Sequence, residues 1–170
     1  KITVLLADER WVEPDSYESN ELLVRKHLLV KAAAAARFIP LKTNHDNPFD
    51  ALPQLDGVLA MLGSFDLVIL GMGADGHTAS LFSDSGTIDQ GLDMDSGRQC
   101  IGVNPFAAPH QRISMTLPRL LNSRQIFVHI IGDEKKAVLE EARKKNNPLI
   151  LPIAAVLNQD QTPVAVYWAE

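Results

Sequence analysis

The clearest apolar run in the chain, Phe65-Asp66-Leu67-Val68-Ile69-Leu70, passes directly into Gly71-Met72-Gly73-Ala74-Asp75-Gly76-His77. A run of this kind reads as a buried strand, such as fills the middle of a parallel sheet. Glycines placed immediately after it let backbone come close to a ligand, and in open parallel sheets ligands sit beyond the carboxyl ends of the strands. The glycine spacing matches neither the dinucleotide fingerprint nor the lysine-bearing loop of nucleotide triphosphatases, so neither function is expected.

The rest of the chain alternates in the same style. Ile2 to Ala7 reads as a strand that delivers Asp8 and Glu9 at its carboxyl end, and Leu22, Leu23, Leu28 and Leu29 recur at helical spacing behind Ser19 or Asn20 as cap. A second helix is expected over Pro48 to Gly63, strained by Pro53 and Gly57. After the glycines, Thr78 to Phe82 is expected to begin a helix, and Ser83 to Gly97 to be mostly loop. Strands are expected at Cys100–Val103, Ile113–Thr116 and Gln125–Ile131, then a charged helix from Glu134 to Lys145 and a last strand, Val164–Trp168. The order predicts an α/β fold with an open, largely parallel sheet flanked by helices. With 170 residues and no linker or repeat, a single domain over 1–170 is expected.

Composition excludes several function classes. Hydrophobic residues at 46% and charged residues at 22% fit neither a disordered nor a membrane protein. No apolar stretch approaches the roughly 20 residues that span a bilayer, and acids follow the first apolar run where a signal peptide would carry its cleavage site. The single Cys100 leaves no internal disulfide and no multi-cysteine zinc site, and a reducing, cytoplasmic location is expected. His27, His45, His110 and His129 lack metal-ligand spacing, so no metal is expected. A net charge of -5 gives no general attraction to nucleic acid. An anionic ligand would therefore need locally placed cations.

Spacing alone leaves two readings of His77. In one it caps a helix in a tight strand-to-helix connection. In the other it is a general base, a task that suits imidazole because its ordinary pKa of about 6.5 puts the proton exchange near neutral pH. Asp75, two residues earlier, is then the group expected to orient the ring.

LVILGMGADGHTASLF from Leu67 to Phe82 and ADERWVEPDSYESNELLVRKHLL from Ala7 to Leu29, in that arrangement, resemble the 6-phosphogluconolactonase family. RISMTLPRLLNSR from Arg112 to Arg124 and IGDEKKAVLEEA from Ile131 to Ala142 extend the resemblance over almost the whole chain. It implies the sugar-phosphate isomerase or ribose-5-phosphate isomerase-like fold, and hydrolysis of 6-phosphogluconolactone to 6-phosphogluconate in the oxidative pentose phosphate pathway. No cofactor and no metal are implied, and the partner is a small phosphorylated sugar lactone, with no nucleic acid and no membrane.

By this resemblance His77 matches the catalytic histidine, Arg10 the arginine of the DERW motif and Lys135 the lysine of the GxEK motif, both cations holding the anionic substrate. Lys136 is the alternative to Lys135. Backbone N–H groups of Gly71, Met72 and Gly73 are expected to face the oxyanion. Asp8 is expected either to bind sugar hydroxyls or to brace Arg10, Glu9 to brace Arg10 through a salt bridge, and Arg112 either to reach the ligand or to pair with an acid. Trp11 and Trp168 read as packing residues.

The chain departs from the family in two places. Members begin with a strand, a helix and a Ser-Gly-Gly-type turn that helps hold the phosphate, and the expectation is a chain lacking that N-terminal portion. Ser83 stands where proline is common. Two alternative functions share the fold: a glucosamine-6-phosphate deaminase-like isomerase, and a non-catalytic sugar-phosphate-sensing domain. The deaminase carries a glutamate where this chain has Phe82 and a tyrosine where it has Arg10, and a regulator is expected to carry a helix-turn-helix with a basic face, which is not found.

Overall fold

A computed structural model describes residues 1–170. Strands β1 (Thr3–Leu5) and β3 (Arg37–Ile39) pair in parallel. Strands β4 (Val68–Leu70), β7 (Ile126–Ile131) and β8 (Val164–Ala169) form a second parallel sheet with β7 in the middle. Strands β2 (Asp8–Arg10), β6 (Arg112–Met115) and β5 (Cys100–Val103) form a third, antiparallel sheet with β6 central. The α/β, largely parallel architecture is thus as expected, with an antiparallel sheet in addition.

The helices are bounded by their own chemistry. Helix α1 (Asn20–His27) starts at Ser19, whose side chain accepts the N–H of Leu22, and carries Glu21 in its first turn and Arg25, Lys26 and His27 in its last, matching the helix dipole. Helix α2 (Pro48–Ala60) starts at Asn47, which caps Phe49 and Asp50, and runs on through Pro53. Short helices α3 (Ile88–Leu92) and α4 (Leu117–Leu121) precede the long, charged α5 (Asp133–Lys145), and α6 (Ile153–Leu157) packs against α5. Leu41, Leu59, Leu70, Leu81, Ile101, Ile113, Ile126 and Ile153 are fully buried in one continuous core. No helix is long and apolar enough to cross a membrane.

Several expectations are corrected. The run from Ile2 ends as a strand at Leu5, and Asp8-Glu9-Arg10 are a strand of another sheet rather than the end of the first. Their backbone finds its partner in β6, with Asp8 opposite Ser114 and Arg10 opposite Arg112. Alternation along β2 then buries Glu9 and turns Asp8 and Arg10 to the other face. Thr78 to Phe82 is a turn, not a helix: Ala79 has φ +48°, Leu81 N–H donates to Thr78, and Thr78 Oγ1 donates to the carbonyl of Gly71. Hydroxyl bonds to neighbouring backbone compete with the helix there. The run ending at Leu70 is buried on one side only, because Ile69 is 64% exposed between buried Val68 and Leu70. The elements not foreseen, β3, α3, α4 and α6, are each too short to show a period.

Candidate functional site

A cleft of about 340 Å³ lies at the carboxyl end of β4, lined among others by Asp8, Arg10, Asn20, Gly71, Met72 and Gly73. His77, Arg112 and Lys135 complete its polar wall. Residues from four distant stretches of sequence, around positions 7–20, 69–79, 112 and 135, therefore meet at one place, as ligand sites in such sheets do.

His77 is held on two sides. Its Nδ1 lies 2.6 Å from Oδ1 of Asp75, which also accepts the His77 backbone N–H at 3.2 Å. The ring stacks on Phe82 with centroids 4.1 Å apart, and Phe82 is buried. A carboxylate oxygen at Nδ1 can only accept, which puts the proton on Nδ1 and the lone pair on Nε2. Nε2 makes no hydrogen bond within the chain, and the side chain retains 29% of its exposure. Gly76, with φ +78° and Leu151 packed against its α-carbon, turns the loop just before the ring.

The glycine turn offers fewer donors than expected. The N–H of Gly73 is taken by the carbonyl of His77 at 3.0 Å, so it cannot face a ligand. The amides of Gly71 and Met72 donate to no acceptor in the chain and remain available at the cleft.

None of the cations lining the cleft forms an ion pair, although Asp8 stands among them. Arg10 Nη1 donates to the carbonyl of Glu18 at 2.7 Å and to Oδ1 of Asn20 at 3.4 Å. Arg112 is 7% exposed and forms no ion pair; its Nη2 reaches only the carbonyl of Pro109 at 3.4 Å, its Nε has no partner, and its guanidinium lies 5.2 Å from the Phe82 ring centre. Burial, with Arg10 adding to it, lowers the guanidinium pKa of Arg112, while Asp8 opposes the shift. Lys135 lines the cleft, whereas Lys136 sits 3.8 Å over the ring of Trp168.

The acids divide their tasks. Glu9 does not brace Arg10 through a salt bridge, because its fully buried carboxylate is occupied elsewhere. It accepts the N–H groups of Asn20 at 2.8 Å, Glu21 at 2.7 Å and Arg10 at 2.8 Å, with the Ser19 hydroxyl at 3.0 Å, and so anchors the start of α1. Asp8 forms no salt bridge with Arg10 either: Oδ2 accepts the Ser80 hydroxyl at 2.6 Å. Burial pushes the Asp8 carboxyl above its usual range, against the pull of Ser80, Arg112, His77 and Arg10.

Two residues of the site were not foreseen. Asn20, considered only as a helix cap, bonds the carbonyl of Asp8 at 3.0 Å as well as Arg10. Phe82 supplies the floor under both His77 and Arg112. Trp11 and Trp168, read as packing residues, also donate from Nε1 to the carbonyls of His45 and Gly132. No group of three or more histidine, cysteine, aspartate or glutamate side chains is gathered as a metal site would require.

Residues 1–168 match the family model described as glucosamine-6-phosphate isomerases/6-phosphogluconolactonase. A 6-phosphogluconolactonase of Pseudomonas putida is 42% identical over 168 residues, covering 99% of this chain and 68% of that protein. One from Rhizobium meliloti is 38% identical over 170 residues, covering 99% of this chain and 73% of that protein. The crystal structure of a 6-phosphogluconolactonase from Shewanella baltica superposes with a TM-score of 0.95 at 41% identity, over 99% of this chain and 72% of that one. With almost the whole chain matched by the family model and relatives this similar, the chain belongs to the glucosamine-6-phosphate isomerase/6-phosphogluconolactonase family.

Proposed function

We propose that this chain hydrolyses 6-phosphogluconolactone to 6-phosphogluconate, with His77 as the general base. One observation carries the reading: His77 has Nδ1 fixed on Asp75 at 2.6 Å and Nε2 unbonded, beside a cleft that Arg10, Arg112 and Lys135 line without a neutralising ion pair.

Nε2 takes a proton from a water as the water oxygen adds to the lactone carbonyl carbon. The carbonyl oxygen becomes an oxyanion, within reach of the free amides of Gly71 and Met72. Collapse breaks the bond to the ring oxygen, which leaves with the proton held on Nε2, and the imidazole is neutral again. Asp75 supports the imidazolium in between. Arg10 and Arg112 lie directly opposite each other in the β2–β6 register. Like charges so placed destabilise a sheet, and a phosphate between them turns that cost into binding. Lys135 adds a compact charge across the cleft.

The test is lactone hydrolysis corrected for the spontaneous reaction. His77→Ala is expected to lose roughly a hundredfold or more. An unchanged rate overturns the role of His77, and ammonia release from glucosamine 6-phosphate in place of lactone hydrolysis overturns the substrate.

A further inference from the structure

Behind the cleft, a chain of buried hydroxyl groups leads from β6 to Asp8. Ser114 is fully buried opposite Asp8, and its Oγ donates to the carbonyl of Met115 at 3.1 Å. The same Oγ accepts the backbone N–H of Ser80 at 3.1 Å. Ser80 is also fully buried, and its own Oγ donates to Oδ2 of Asp8 at 2.6 Å. The turn around Ala79, where a helix was expected, is what brings this hydroxyl to the carboxylate. Only one oxygen is engaged: Oδ1 of Asp8 accepts nothing from the chain, and Asp8 borders the cleft.

We infer that Ser80 is a positioning residue, fixing Oδ2 of Asp8 so that Oδ1 faces the cleft as the acceptor for a hydroxyl of the sugar ring. This rests on reading the cleft as the site of a sugar lactone. An ionised carboxylate is acceptor-only, so it suits a hydroxyl and repels the phosphate, which leaves the phosphate to the cations. A site built to bond a substrate hydroxyl also rejects analogues that lack it, provided the acceptor is held still. The charged and titratable groups facing Asp8 are Arg10 on its own strand, Arg112 from β6 and His77 from the glycine loop, with Lys135 on the same cleft.

Two measurements test the inference. The first is a carboxyl-carbon NMR titration of protein labelled at aspartate, with Asp8→Asn identifying the resonance. The Ser80 hydrogen bond favours the ionised carboxyl, so Ser80→Ala is expected to move the Asp8 midpoint to higher pH. An unmoved midpoint overturns the inference. The second is steady-state hydrolysis of the lactone: Ser80→Ala is expected to lower kcat/KM by about tenfold, mostly through KM. In the Asp8→Asn background the same change is expected to cost less than about twofold, because its target is gone. Equal losses in both backgrounds overturn the inference, as does an equal shift in Ser85→Ala, whose buried hydroxyl bonds the carbonyl of Phe82 instead. Ser80→Cys, a weaker donor of similar size, serves if the alanine variant does not fold. Wild-type protein inactive on the lactone would overturn the proposed reaction, while the NMR titration would still decide the role of Ser80.

Discussion

The imidazole of His77 fills the space that a side chain on Gly73 would need. A Cβ on Gly73 would meet Cε1 and Nδ1 of the ring and Oδ1 of Asp75 at impossible range. The amide of Gly73 meanwhile donates to the carbonyl of His77 at 3.0 Å, closing the loop on itself. The absent side chain is therefore what lets ring, carboxylate and backbone share one place.

Gly73→Ala should accordingly damage chemistry more than folding. The ring or the carboxylate must move by an ångström or more, and displacement on that scale costs on the order of a hundredfold. The expected result is a kcat reduced by about that factor with an unchanged circular dichroism spectrum. A variant with the kcat of the wild type would show that the loop tolerates the methyl and that the ring position is not critical.

Glu9 makes the opposite prediction, since it touches backbone rather than the cleft. Glu9→Ala leaves the buried amides of Asn20 and Glu21 without their acceptor, at a cost of roughly 2–4 kcal/mol. For a chain of this size, Tm falls by about 3 °C per kcal/mol. Glu13→Ala is the comparison, because Glu13 is 79% exposed and only 3.9 Å from Lys42, and it should move stability by less than about 0.5 kcal/mol. Thermal unfolding of both variants checks this, and equal effects would refute the anchoring role of Glu9.

Cys100 links stability to alkaline pH. The thiol is fully buried with Asp56 Oδ1 3.5 Å from its sulfur; burial, then the charge of Asp56, push it well above the ordinary thiol value of 9.0. A group whose pKa is raised by folding stabilises the native state below its unfolded pKa, and that contribution is lost as pH rises toward the folded one. Between pH 9 and 10.5 the wild type should therefore lose stability relative to Cys100→Ala, at up to about 1.4 kcal/mol per pH unit. Urea unfolding at a series of pH values measures the difference. Native protein at pH 8 should also resist iodoacetamide until unfolded.

The long periodic elements were legible because their signals are local. Helices α1, α2 and α5 carry caps, acidic first turns or basic last turns in their own residues, and β7 is a long enough apolar run to declare itself. Among the short elements β5 was legible at its bounds, while β3, α3, α4 and α6 were not, because three residues of strand or five of helix hold less than two periods of their pattern. In the site, His77, Asp75 and Arg10 could be named from a glycine loop and a motif. The partner of Glu9, the place of Asn20 and the floor formed by Phe82 depend on strand register and on how a turn folds back.

The amino-acid sequence by itself determined the fold class, which follows from residue type and local spacing, and it pointed to a candidate ring and candidate cations through motifs that resemble those of a family. Only the tertiary structure decided how those groups are used. It put Arg10 opposite Arg112, spent the amide of Gly73 on its own loop, and turned Asp8 to the cleft and Glu9 to a helix end. These outcomes are set by which strands pair and which face each residue takes, and such long-range contacts leave no trace in the order of neighbours along the chain.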